Sequence, residues 1–172
     1  MKRLVLIGGP MGVGKTSVGR ELQKLLPRCA FLDGDWCWDM RPFVVNETTK
    51  AMVLDNICHV LNGFLHCDAI ESIVFCWVMH EQGIIDAILS ELKPHGAEVS
   101  CFSLVADEAV LTARIRGDIA RGVRRPDALE RSLMYLPKYD KLNTIKIDTS
   151  GLSATEVALE IANRMKESAF LA

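Results

Sequence analysis

The chain has 172 residues, 49% of them hydrophobic and 24% charged, with a formal net charge of −2. That apolar content excludes a disordered chain, and the near-neutral balance excludes the basic excess typical of nucleic-acid and membrane-surface binders. No apolar run reaches the roughly 18 residues of a membrane span, and Leu4–Ile7 is too short for a signal-peptide core, so a cytosolic protein is expected. The six cysteines are scattered with no CxxC pair, which reads as reduced thiols among apolar neighbours rather than a disulfide frame. Cys58-His59 and His66-Cys67 share one predicted helix, a poor arrangement for zinc. His59, His66 and His95 have no supporting context.

Residues 1–172 read as a single domain without repeats or linkers. Short apolar runs alternate with amphipathic stretches. Lys2–Gly8 predicts a buried strand. Lys15–Leu26 predicts a helix stopped by Pro27, with Val18, Leu22, Leu25 and Leu26 on one face. Arg28–Leu32 is a second strand and Thr48–Leu65 a second helix. Ser72–Val78 is a third strand, followed by a helix over Gly83–Lys93 that Pro94 and Gly96 close. Glu98–Leu104 is a fourth strand. Asp107 stands where it can cap a helix to Ala120. Asn143–Ile147 is a fifth strand, and Ser153–Glu156 forms a capping box before a last helix to about Lys166. Strands apolar on both faces, alternating with helices, imply an α/β three-layer sandwich around a doubly wound five-stranded parallel sheet. Ligands of such sheets bind beyond the strands' carboxyl ends.

Gly9-Pro10-Met11-Gly12-Val13-Gly14-Lys15-Thr16 matches GxxxxGK[ST] between a predicted strand and a predicted helix. The loop around Gly9, Met11, Gly12, Val13 and Gly14 can wrap an anion in backbone amides at a helix N-terminus. Lys15 can reach β- and γ-phosphates, the Thr16 hydroxyl can ligate Mg²⁺, and Ser17 can touch the α-phosphate.

This arrangement resembles the P-loop small-molecule kinases, among them shikimate, gluconate and adenylylsulfate kinases, chloramphenicol phosphotransferase and nucleoside monophosphate kinases. GTPases fit less well, since no NKxD occurs; ABC and AAA+ ATPases run longer, and no LSGGQ occurs. Leu32-Asp33-Gly34-Asp35 looks like the family's LDGD and DxD. The resemblance assigns Asp33 to the metal and Asp35 to the acceptor hydroxyl as catalytic base. Strand alternation would send both side chains the same way; a plain Asp-Gly turn would show the same residues. Six of the eleven arginines fall between Arg114 and Arg131, which resembles the arginine-rich lid of these kinases over 114–131. Within it Arg114 is similar to the family's L-x-x-R arginine beside the adenine, and Arg121 and Arg125 stand as candidates to stabilise transferred charge. A solvated basic helix face is the alternative. Ile147-Asp148-Thr149-Ser150 looks like the family's last loop beside the base.

One departure is that no acid ends Ile73–Met79; if Asp33 does not hold the metal, Glu81 is the next candidate. Trp36, Trp38, Asp39, Arg41 and Phe43 follow the paired acids, where the resemblance puts the acceptor. Arg41 can pair with an acceptor anion, while Trp36, Trp38 and Phe43 either stack on a ring or form core. The expectation is an ATP- and Mg²⁺-dependent phosphotransferase, monomer or homodimer, acting on a small-molecule hydroxyl or phosphate. A nucleotide-binding module without an acceptor and a nucleoside monophosphate kinase are the rivals.

Overall fold

The computed structural model describes residues 2–92 and 96–170, with side chains to Met165. The predicted helix end at Lys93, with Pro94 and His95, lies outside the described residues. Five strands form one parallel sheet in the order β2-β3-β1-β4-β5. They are β1 (Arg3–Gly8), β2 (Cys29–Asp33), β3 (Ser72–Cys76), β4 (Glu98–Val105) and β5 (Ile145–Asp148).

The strand period of two sorts the core between the sheet's faces. On β1, Val5 and Ile7 join one apolar cluster, and Leu4 and Leu6 join the other. β3 repeats this with Val74 and Cys76 against Ile73 and Phe75. The first face is covered by α1 (Lys15–Leu25), α4 (Glu108–Ala120), α5 (Ala128–Tyr135) and α6 (Ala154–Phe170). The second is covered by α2 (Glu47–His66) and α3 (Gln82–Glu91), with Tyr139 and Leu142 filling the gap beside them. The doubly wound sandwich expected from the alternation is therefore the architecture found.

Several local expectations change. β2 ends at Asp33, because the Asp33 carboxylate accepts the Asp35 amide at 3.1 Å and caps a 3₁₀ turn over Gly34–Trp38. Asp35 thus lies on a turn, and strand alternation does not set its direction. β3 ends at Cys76, two residues early, and Met79 just beyond has φ of 40°. Asp107 does not cap α4 with its side chain; its amide donates instead to Ser150 Oγ at 2.7 Å. The Ser153–Glu156 box forms as read, with Ser153 N donating to Glu156 Oε2 at 2.8 Å. The segment expected to be a lid, 114–131, runs from the second half of α4 into the first turn of α5, a helix not read from the sequence that a 3₁₀ turn at Leu136–Lys141 follows. Leu129, Leu133 and Leu136 pack α5 onto the core, a helical spacing that was available to read.

Candidate active site

The loop between β1 and α1 has positive φ at Gly9, Gly12 and Gly14. Such angles suit glycine and let successive amides face a common centre. A Cβ on Gly12 would stand 2.5 Å from Ile115 Cγ1, so α4 packs directly on the loop. Two further ties hold it. The buried Ser132 hydroxyl of α5 donates to Met11 O at 2.7 Å. Arg114 donates to Thr149 O at 2.7 Å and to Thr149 Oγ1 at 2.9 Å, and reaches Val13 O at 3.5 Å.

Lys15 Nζ donates to Gly9 O at 2.8 Å and Pro10 O at 2.9 Å. Burial lowers its pKa to about 8, although Asp35 and Asp33 favour the charged form. Thr16 Oγ1 donates to Asp33 Oδ2 at 2.7 Å. Asp33 is only 6% exposed, so its carboxylate is committed to Thr16 on one oxygen and to the Asp35 amide on the other. Desolvation, then the negative Asp33, raises the Asp35 pKa, while Lys15, the Trp77 side chain and Arg124 pull it back. The hydroxyl and carboxylates together are a hard oxygen donor set of the kind Mg²⁺ takes.

Glu81, the reserve metal candidate, is paired with Lys138 at 2.9 Å. That pair lines a cavity of about 360 Å³ with His80 and Lys141. His80 stacks on Tyr135 with ring centroids 4.1 Å apart. A second cavity of about 200 Å³ lies between Val13, Ser17, Arg114, Thr149 and Leu152. It brings the L-x-x-R arginine and the Ile147–Ser150 loop together.

Among the arginines, Arg124 rather than Arg121 or Arg125 acts electrostatically on both Lys15 and Asp35. Arg121 and Arg124 share Asp118, at 2.7 and 2.8 Å. Arg125 is exposed and makes no ion pair among the described residues. Spacing alone did not separate these three.

The aromatic residues divide. Trp36 lies edge-on to Phe31 at 5.6 Å and beneath the Arg20 guanidinium at 5.1 Å, on the α1 side of β2. Trp38 packs with Phe43 at 5.4 Å and with Trp77 at 6.4 Å, toward α2. Trp77, read from sequence as strand core, lies against Gly34 in the turn that carries Asp35. Arg41 is exposed.

Residues 5–133 match the model of the AAA domain family, on the stretch that carries the loop, Asp33, Asp35 and the arginines. The chain belongs to this AAA domain family. The match falls on the P-loop stretch that carries the resemblance to the small-molecule kinases. No curated protein matches. Solved structures similar to this AAA domain include small-molecule kinases and a resistance protein. A gluconokinase from Sinorhizobium meliloti 1021 is 18% identical at TM-score 0.70, over 98% of this chain and 96% of its own. The Deinococcus radiodurans tunicamycin resistance protein is 21% identical at TM-score 0.69, over 96% of both chains. Shikimate kinase from Acinetobacter baumannii, solved with shikimate, is 20% identical at TM-score 0.68, over 98% and 95%. At these identities the likeness establishes a shared P-loop kinase fold. No helix among the described residues is long and apolar enough to cross a membrane.

Proposed function

We propose that this protein is a phosphotransferase that moves the γ-phosphoryl of ATP to a hydroxyl of a small molecule. The observation that carries the reading is the chain Thr16–Asp33–Asp35, joined at 2.7 and 3.1 Å beside Lys15. It supplies an oxygen set for Mg²⁺ and a second carboxylate for the acceptor, and it stands in for the acid that β3 lacks.

Thr16 and Asp33 would hold Mg²⁺, which when bound neutralises phosphate charge. The amides of Gly12–Thr16 and the Lys15 ammonium hold the β- and γ-phosphates. The cavity at Arg114 and Thr149 takes the nucleoside. Asp35 orients the acceptor hydroxyl and accepts its proton; its raised pKa makes it a better base than a free carboxylate. Arg124, with Arg121 and Arg125 on the same segment, stabilises charge on the transferred group as that segment closes. Trp36, read from sequence as an acceptor contact, contributes by packing Asp35's turn against α1. The kinase fold of the solved neighbours and the match to residues 5–133 support this reading.

Acceptor-dependent ADP release, followed with MgATP and a panel of hydroxylated metabolites, tests it. Asp35→Asn should keep ATP binding and lose transfer by about a hundredfold or more. Nucleotide binding with no transfer to any acceptor would indicate a binding module, and an Asp35→Asn variant of full activity would remove the base.

A further inference from the structure

We propose that the acceptor is an alcohol carried on an aromatic or otherwise apolar ring body, and that Trp38, Phe43 and Trp77 select it. The proposal rests on the phosphotransferase reading above and names the substrate class of that site.

The wall begins at the reactive carboxylate itself. Trp77 leaves β3 at its carboxyl end, with its amide donating to Ile7 O at 3.1 Å. A Cβ on Gly34 would stand 2.5 Å from Trp77 Cγ, so only glycine lets the indole lie against the turn that carries Asp35. The Trp77 side chain exerts a hydrogen-bonding pull on the Asp35 carboxyl. Trp38 continues the surface 6.4 Å from Trp77, and Phe43 continues it 5.4 Å from Trp38.

This wall offers a polyol little. Trp38 Nε1 donates to Val44 O at 3.3 Å, so its one polar atom is already used. Phe43, Val44 and Val45 carry no polar side-chain atom, yet they are 50%, 37% and 57% exposed. Single exposed apolar residues are ordinary, but three in succession, starting from a phenylalanine tilted against Trp38, form a patch that water solvates poorly. A sugar acid placed there would lose hydration from several hydroxyls without replacement partners. A ring with one hydroxyl near Asp35 buries its apolar face and keeps its polar group at the carboxylate.

The transfer balances simply. The acceptor oxygen forms a bond to Pγ, and the bond from Pγ to the β,γ-bridging oxygen breaks. ADP leaves with that electron pair, and the hydroxyl proton passes to Asp35.

The experiment compares 1-phenyl-1,3-propanediol with D-gluconate and shikimate as acceptors, by initial rates of ADP release in wild type and Phe43→Ala. ATP binding is followed in parallel by calorimetry. The aryl diol should exceed both polyols in kcat/KM by about tenfold or more. Phe43→Ala should raise KM for the aryl diol about tenfold and leave KM for ATP unchanged. Binding of the diol in the presence of a non-hydrolysable ATP analogue should also quench tryptophan fluorescence. Phe43 is half-exposed, so the variant is expected to fold. Preference for a polyol, indifference of the diol to Phe43→Ala, or no transfer to any of the three with ATP bound would each overturn the substrate class. In the first two cases the phosphotransferase stands; failure to bind ATP at all removes both readings.

Discussion

Replacing Lys15 with methionine should stabilise the ligand-free protein while abolishing phosphate binding. Burial lowers the Lys15 pKa from 10.5 to about 8. At about 1.4 kcal/mol for each tenfold change in proton affinity, the ionised side chain is disfavoured in the fold by about 3 kcal/mol. Lys15→Met removes that penalty with a side chain of similar length. It also removes donors to Gly9 O and Pro10 O, now at 2.8 and 2.9 Å, which offsets about 1–2 kcal/mol. The net gain is about 1–2 kcal/mol, or a rise in Tm of about 2–8 °C for a chain of this size. The sign with pH follows from the lowered pKa. The penalty is full below about pH 8 and fades as pH rises toward 10.5, where the unfolded side chain also loses its proton. Thermal unfolding of both proteins from pH 7 to 10 should therefore show the variant's advantage at neutral pH shrinking on the alkaline side. A variant less stable than wild type at pH 7, or an advantage that does not change with pH, would refute the reasoning. The expected trade reflects a residue kept for its ligand, not for the fold.

Gly12→Ala should lose about 2–4 kcal/mol in urea unfolding, because φ is 81° and the new methyl meets Ile115 at 2.5 Å. Ser132→Ala leaves Met11 O without its buried partner and should lower stability by about 1–2 kcal/mol, read as a fall in Tm that saturating MgATP reduces. The raised Asp35 pKa should place the acid limb of kcat/KM above the ordinary carboxylate value of 3.8, and an acceptor series measured from pH 4 upward would locate it.

The features most legible in the sequence were those with a fixed period or a fixed geometric demand. Continuous apolar runs such as Leu4–Ile7, alternating with amphipathic helices, marked the sheet, and the Gly9–Thr16 spacing marked the loop with its lysine and hydroxyl. The parts that escaped depend on tertiary partners. Asp33 caps the turn that carries Asp35, so the two acids meet through a hydrogen bond at 3.1 Å and not through strand alternation. Trp77 sits at the end of an apolar run, where nothing local distinguishes a core indole from one against a carboxylate. Trp36 and Trp38 are two residues apart, yet Arg20 holds one and Phe43 the other on opposite sides of β2. Arg121, Arg124 and Arg125 look alike in sequence, yet Asp118 holds the first two and only Arg124 of the three acts electrostatically on Lys15 and Asp35. Leu129, Leu133 and Leu136 carry a helical spacing that the arginines around them mask.

Calorimetric titration with MgATP, in wild type and in Lys15→Met, tests most directly that the loop after β1 holds a polyphosphate. Saturable binding by the wild type, weakened by about a hundredfold or more in the variant, is the expected result. Absence of binding by the wild type, or equal affinity in the two proteins, would contradict it.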